Sequence, residues 1–318
     1  MLAPVVLFVY NRAEHTRKTL EALAKNLLAD NSTLYIYSDG PKADASIETL
    51  NKIKEVRALI RERSWCKEVI IQDSDSNLGL TNSILKGVSE VVNEHGKIIV
   101  LEDDIVTSVG FLKYMNDALN VYETEEKVMH ISGYNYPIHF KVDESTFFMK
   151  ILTSWGWATW KRAWAKYNHD IEDPFARLNS KRKINQFNIN GQGDFYDQLL
   201  ENKKGNIYTW AVRWYASWYF EGGYSLFPER SLVRNIGMDS SGIHCMTTDI
   251  FDSEAVEKID VYKVKITENW KAKRQLSAYY KHKFHNIVPG TDSLTYAFKK
   301  VLKKYLPSPI MAVFRTFR

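Results

Sequence analysis

The sequence predicts an α/β protein whose first half is a Rossmann-like sheet flanked by helices, closed by a helical basic C-terminal extension. Three observations carry that prediction. Through the first 135 residues apolar runs alternate with amphipathic stretches, the pattern of βαβ units. Gly40-Pro41 and Asn77-Leu-Gly79 punctuate strand-to-helix junctions. A chain of 318 residues with 45% hydrophobic and 25% charged side chains can bury a sizeable core, and exceeds what one core usually organises.

Strands are expected at 4–10, 34–38, 68–72, 97–101 and 128–132, where short apolar runs are rich in Val and Ile. Between them 13–28, 44–63, 80–94 and 110–123 carry apolar residues at three- and four-residue spacing, as in Leu20, Leu23, Leu27 or Ile47, Leu50, Ile53. These are read as crossover helices. Open α/β sheets bind ligands at the carboxyl ends of parallel strands, so function is expected in the loops that follow the strands. From about 145 to 250 the alternation gives way to a Trp-rich region, including Ser154-Trp-Gly-Trp-Ala-Thr-Trp160 and Trp210-Ala-Val-Arg-Trp214. The expected organisation is one domain over 1–255, with a first half to about 135 and a second half after it, and an extension over 256–318.

Composition removes several classes. Two cysteines, Cys66 and Cys245, cannot make a disulfide framework or a four-cysteine metal site, which fits a reducing cytoplasm. A net charge of +5 is too small to argue for nucleic acid without a concentrated patch. No glycine follows the first strand in Tyr10-Asn-Arg-Ala-Glu-His15, and neither GxGxxG nor GxxxxGK[ST] occurs, so dinucleotide and P-loop phosphate cradles are absent. No run of 18 apolar residues occurs that could span a bilayer, and the N-terminus has no basic lead or cleavage signature.

The strongest chemical signal is Lys97-Ile-Ile-Val-Leu-Glu102-Asp103-Asp104, an apolar strand ending in three acids. Like charges at a strand end raise one another's pKa, and a hard cation such as Mn2+ or Mg2+ removes that cost. A solvated acidic turn ahead of the next helix is the plainer alternative. Asp39 closes another strand in Tyr35-Ile-Tyr-Ser-Asp39-Gly40 and Arg12 follows the first. Acids and an arginine at neighbouring strand ends make a pocket for a nucleoside diphosphate.

Pro4-Val-Val-Leu-Phe-Val-Tyr-Asn-Arg12, Ser38-Asp39-Gly40, Asn77-Leu-Gly79, Leu101-Glu-Asp-Asp104, Gly156-Trp157 and Pro228-Glu-Arg-Ser-Leu-Val-Arg-Asn-Ile-Gly237 stand in the order found in GT-A glycosyltransferases. The chain resembles bacterial sugar transferases of surface-polysaccharide clusters related to N-acetylglucosaminyltransferase I. That resemblance implies a GT-A mixed sheet, a DxD-type metal site for Mn2+ or Mg2+, a nucleotide-sugar donor expected to be a UDP-sugar, and inverting transfer to a cell-envelope glycan or lipid-linked acceptor. It also implies that Arg12 contacts the nucleotide or its diphosphate, Asp39 the uracil edge, Glu102 and Asp103 the ribose and diphosphate, and Asp104 the metal. Asn77 would join the donor contacts. The stretch Gly237-Met-Asp-Ser-Ser-Gly-Ile-His244 would form a lid over the diphosphate, with Ser240, Ser241 and His244 at its tips.

One departure from the pattern concerns the base. Relatives often carry an aspartate just after the first Trp of the WxxxW helix, whereas this chain has Trp210-Ala211. An inverting transfer needs a group to take the acceptor proton. Asp194, preceded by Gly191 and Gly193, is the first choice and Asp239 the second. Trp157, Trp210 and Arg213 are the acceptor-side candidates, with a core role for the Trp157 ring left open. A nucleotidyltransferase or phosphosugar transferase, and an inactive sugar-binding relative, are the rival readings.

After Asp292 the chain has no acidic residue, while Lys299, Lys300, Lys303, Lys304, Arg315 and Arg318 are basic. Beside them Phe298, Leu302, Tyr305 and Leu306 recur at helical spacing. The expectation is a tail, Ser293 to Arg318, that holds a cytoplasmic enzyme on the inner, anionic face of a membrane. The alternative is a helix packed on the catalytic domain with its lysines in water.

Overall fold

The computed structural model describes residues 1–138, 140, 144–239 and 251–285. Ser240, Ser241, His244 and the tail from Ser293 lie outside the described residues, so the expectations placed on them stay as such.

Three of the first four strands are buried on both faces, as the continuous apolar runs of a parallel sheet require, and the fourth lies partly exposed at the sheet edge. Val5–Val9 (β1) pairs in parallel with Thr33–Ser38 (β2) and with Lys97–Glu102 (β4), while β2 pairs in parallel with Glu68–Asp73 (β3) at the sheet edge. Ala13–Ala24 (α1), Ile47–Leu59 (α2) and Leu80–His95 (α3) make the crossovers. Each starts where local chemistry allows. The Ser46 side chain accepts from the Thr49 N–H and so begins α2 three residues later than the periodicity suggests. Gly79 at φ 76° precedes α3 and Gly96 at φ 79° ends it, both in the left-handed region that glycine tolerates.

The sheet then changes character. Ile105–Thr107 (β5) leaves it, Phe111–Val121 (α4) covers it, and Val128–Ser132 (β6) returns to it. Thr146–Met149 (β7) and Trp157–Trp160 (β8) follow, then short helices at Lys161–Trp164 (α5), Asp173–Arg177 (α6) and Lys181–Phe187 (α7). Phe195–Lys203 (α8), Trp210–Phe220 (α9), Tyr224–Pro228 (β9), Val233–Asn235 (β10) and Trp270–His285 (α10) complete the chain. The resulting sheet of eight strands runs β3-β2-β1-β4-β8-β6-β9-β7, with β8 antiparallel to both β4 and β6, and β10 pairs separately with β5. This is the predicted α/β class, with a mixed sheet flanked by helices.

The stretch beyond 256 is continuous with this body in the described residues. The Gly110 N–H donates to Glu257 O at 2.8 Å, the Asn269 N–H donates to Phe148 O at 2.8 Å, and α10 buries Ala272, Leu276 and Tyr280. Its basic residues Lys271, Lys273 and Arg274 lie on the same helix.

Candidate active site

Three parallel strand ends, those of β1, β2 and β4, bring the predicted charges to one edge of the sheet. Arg12 stands one residue before α1, and its guanidinium reaches across to the end of β4. Nε donates to Asp103 Oδ2 at 3.2 Å, and Nη2 donates to Asp103 Oδ1 and to Asp104 Oδ2, the latter at 2.8 Å. The Thr19 hydroxyl, from α1, donates to the Asp103 carbonyl at 2.8 Å and fixes the turn. Asp103 and Asp104 are buried, at 5% and 7% exposure. Burial first, then the neighbouring carboxylates, hold Glu102 well above the usual range, with Arg12 pulling the other way. Asp103 is likewise raised by burial, against the opposing pull of Arg12. The arginine itself is held more firmly protonated by Asp103 and Asp104. Three carboxylates thus face one guanidinium.

The chain that follows β10 closes over these groups. The Ile236 N–H donates to Asp104 O at 2.9 Å, and a Cβ at Gly237 would collide with Asp104 Oδ2 and lie 3.0 Å from Arg12 Nη1. A larger residue there would push the Asp104 carboxylate or the Arg12 guanidinium aside. Two residues on, Asp239 Oδ2 lies 3.1 Å from His15 Nε2. No sequence motif singles out His15, although it lies three positions after Arg12, on the first turn of α1 where such a residue joins the same face.

Among the described residues no group of three or more His, Cys, Asp or Glu side chains is arranged to hold a metal ion. The donor set fits a cation of another kind. Asp104 uses Oδ2 for Arg12 and has a second oxygen, and the carboxylate excess at this edge favours positive charge. That suits a hard divalent ion sharing one carboxylate with ligand phosphates, and does not suit a closed all-protein centre.

Asp39 behaves differently from expectation. Its Oδ1 accepts from the Gly40 N–H at 2.9 Å and the Leu78 N–H at 2.8 Å, and its Oδ2 accepts from Asn77 Nδ2 at 2.9 Å and the Gly79 N–H at 3.0 Å. A carboxylate offers about four lone-pair sites, and all four are in use. Asp39 therefore pins the 77–79 loop onto the end of β2 instead of presenting an edge to a nucleobase. Asn77 is held with it, its Nδ2 also donating to Gly40 O at 3.0 Å. The loop presses so closely that a Cβ on Gly40 would lie 2.6 Å from the backbone of Ser74 and Ser76.

Of the acceptor-side expectations, the two tryptophans need correction. Trp157 is 1% exposed, stacked between His130 at 5.7 Å and Trp210 at 5.1 Å, and offers no face to a ligand. Trp210 is 4% exposed in the same stack. Both are core, as the apolar environment between α9 and β8 dictates. Arg213 ties α9 to its surroundings through Asn202 Oδ1 and His169 O, both at 3.3 Å, and lies over the Tyr208 ring. Asp194 is exposed immediately before α8, where its Oδ1 accepts from Gln198 Nε2 at 3.0 Å, and its charge acts on Tyr136 and Tyr280. The chain reaches it through Ile189, Asn190 and Gly191, all at positive φ, a conformation that a β-branched residue rarely adopts.

No family model and no curated protein matches the chain. Among solved structures it is similar to S. aureus TarS, at 16% identity and a TM-score of 0.29, over 46% of this chain and 24% of that one, so it spans about a quarter of the TarS chain. It is also similar to the galactosyltransferase LgtC in complex with donor and acceptor sugar analogs, at 9% identity and a TM-score of 0.38, over 70% of this chain and 72% of that one. A UDP-glucose pyrophosphorylase complexed with UDP-glucose matches at 9% identity and a TM-score of 0.36, over 73% of this chain and 91% of that one. Similarity this remote leaves the chemistry to be read from the residues of this chain.

Proposed function

We propose that the chain is a glycosyltransferase of GT-A type that moves a sugar, with inversion, from a nucleoside-diphosphate donor such as a UDP-sugar to a hydroxyl of a cell-envelope glycan or lipid-linked acceptor. The observation that supports this is the meeting of Arg12 with Asp103 and Asp104 at the carboxyl ends of β1 and β4. A buried edge with three carboxylates and one guanidinium repels a diphosphate unless a cation accompanies it. Mn2+ or Mg2+, held by Asp104 together with the donor phosphates, would neutralise charge on the departing diphosphate. Arg12 supplies a fixed positive charge beside that position, and the Gly237 approach keeps Asp104 oriented.

In the transfer the acceptor oxygen bonds to the anomeric carbon, the bond from that carbon to the β-phosphate oxygen breaks, and the acceptor proton passes to a carboxylate. Asp194 is our choice for that base and Asp239, paired with His15, the second. Glu102 and Asp103 line the donor side, and Ser240, Ser241 and His244 complete it in this proposal. A panel of nucleotide sugars, with nucleoside diphosphate release as the signal and pyrophosphate exchange run alongside, tests the reading. Metal-dependent diphosphate release supports it. Exchange of pyrophosphate into nucleoside triphosphate would show a nucleotidyltransferase instead, and no turnover of any donor would favour an inactive relative.

A further inference from the structure

Helix α10 helps to build a second cavity that the charged edge does not use. About 270 Å³ in volume, it is walled by the rings of Tyr134, Tyr136, Trp155, Phe251 and Tyr280. The rings brace one another: Trp155 meets Tyr134 at 4.6 Å and 66° and Phe251 at 5.8 Å and 88°, and Tyr136 lies 5.7 Å from Tyr280. The Tyr134 hydroxyl donates to Phe251 O at 2.8 Å, and the Tyr136 and Tyr280 hydroxyls share a hydrogen bond at 3.0 Å. Burial pushes Tyr136 up to about 12, so this pair remains uncharged at physiological pH. Thr153, Ser154 and Gln198 add hydroxyl and amide groups, and Ala211 leaves the α9 side open. No charged side chain occurs among the described residues that line the cavity.

A pyranose ring carries C–H faces that pack on aromatic rings and a rim of hydroxyls that needs neutral donors and acceptors. An anionic sugar in the same space would lose hydration with no cation to replace it. Tyr136 also lines a wider groove of about 750 Å³, where Glu229, Asp252 and Glu254 outnumber Arg230. The groove meets the cavity at that shared residue, and its acidic excess disfavours a polyanion. Resting on the glycosyltransferase reading, we propose that the ring-walled cavity takes one uncharged pyranose, the terminal residue of a neutral acceptor glycan, and that Trp155, Tyr136 and Tyr280 determine that specificity.

The test uses the full chain with UDP and Mn2+ present. Saturation-transfer NMR is run with methyl glycosides of glucose, galactose and N-acetylglucosamine, and with methyl glucuronide, while calorimetry follows UDP. The expectation is saturable binding of at least one neutral glycoside and about tenfold weaker binding of the glucuronide. Ala211→Leu, which fills the cavity, and Trp155→Ala should each weaken the neutral glycoside about tenfold, with UDP affinity within about twofold of the parent. UDP binding without any neutral glycoside signal, a signal that survives Ala211→Leu, or equal binding of the glucuronide would each overturn the proposal. Glycoside binding without UDP binding would instead uphold the cavity and remove the donor reading.

Discussion

Arg12 and Asp39 end neighbouring strands, and both are legible in the sequence because a charge closing an apolar run has to meet something. Their partners decide their roles. Arg12 crosses to residues 91 and 92 positions later, as the acids at the end of β4 invite. Asp39 is saturated by donors from 77–79, three of its four bonds depending on a loop whose arrival no local pattern announces. The acids could be read because charge is costly at a strand end, whereas the saturation of Asp39 is a property of the folded loop. Asp39→Asn sets an amide donor against existing N–H donors, so the variant should lose about 3 kcal/mol of stability. Urea unfolding followed by circular dichroism measures this. Full stability in that variant would show that the carboxylate is not the anchor of the loop.

At the level of elements, the first four strands of the sheet and their helices follow from periodicity, since each crossover helix shows one apolar face. Strand β8 does not. Trp157–Trp160 is buried on both faces and inserted antiparallel between β4 and β6, so its sequence shows neither alternation nor a flanking hairpin. Its aromatic residues resemble a binding surface when they are in fact a wall of the core. His130 on β6, stacked on Trp157 and bonded to Ser225 Oγ at 2.6 Å, shares that wall, and burial lowers it to about 3. The folded imidazole is neutral, whereas in the unfolded chain it takes a proton below about 6.5. This contribution to stability is therefore complete above that pH and declines as pH falls toward 3, by about 1.4 kcal/mol per unit. Denaturant melts at pH 7.5 and 5.5 should show this decline in the parent and a smaller one in His130→Phe. Equal declines in both would mean that other groups carry it.

Across the whole molecule, the sheet divides the labour. Its all-parallel half gathers charge at one edge, and its mixed half, with α9 and α10, frames an uncharged aromatic cavity. No helix among the described residues is long and apolar enough to cross a membrane. The tail from Ser293 is proposed to supply surface attachment by its lysines and apolar face instead. Flotation of the full chain and of a chain lacking 293–318 with anionic vesicles should differ, with only the full chain rising. Equal flotation would remove the tail from that role. Whether the charged edge binds a metal-bridged diphosphate is measured by calorimetric titration of UDP with and without Mn2+, on the parent and on Asp104→Asn. Mn2+ should strengthen UDP binding to the parent and have no effect on the variant, and the ligand-free variant should melt no lower than the parent, because one of three repelling carboxylates is gone. Metal-independent binding in the parent, or undiminished metal dependence in Asp104→Asn, would contradict metal-bridged binding at this edge.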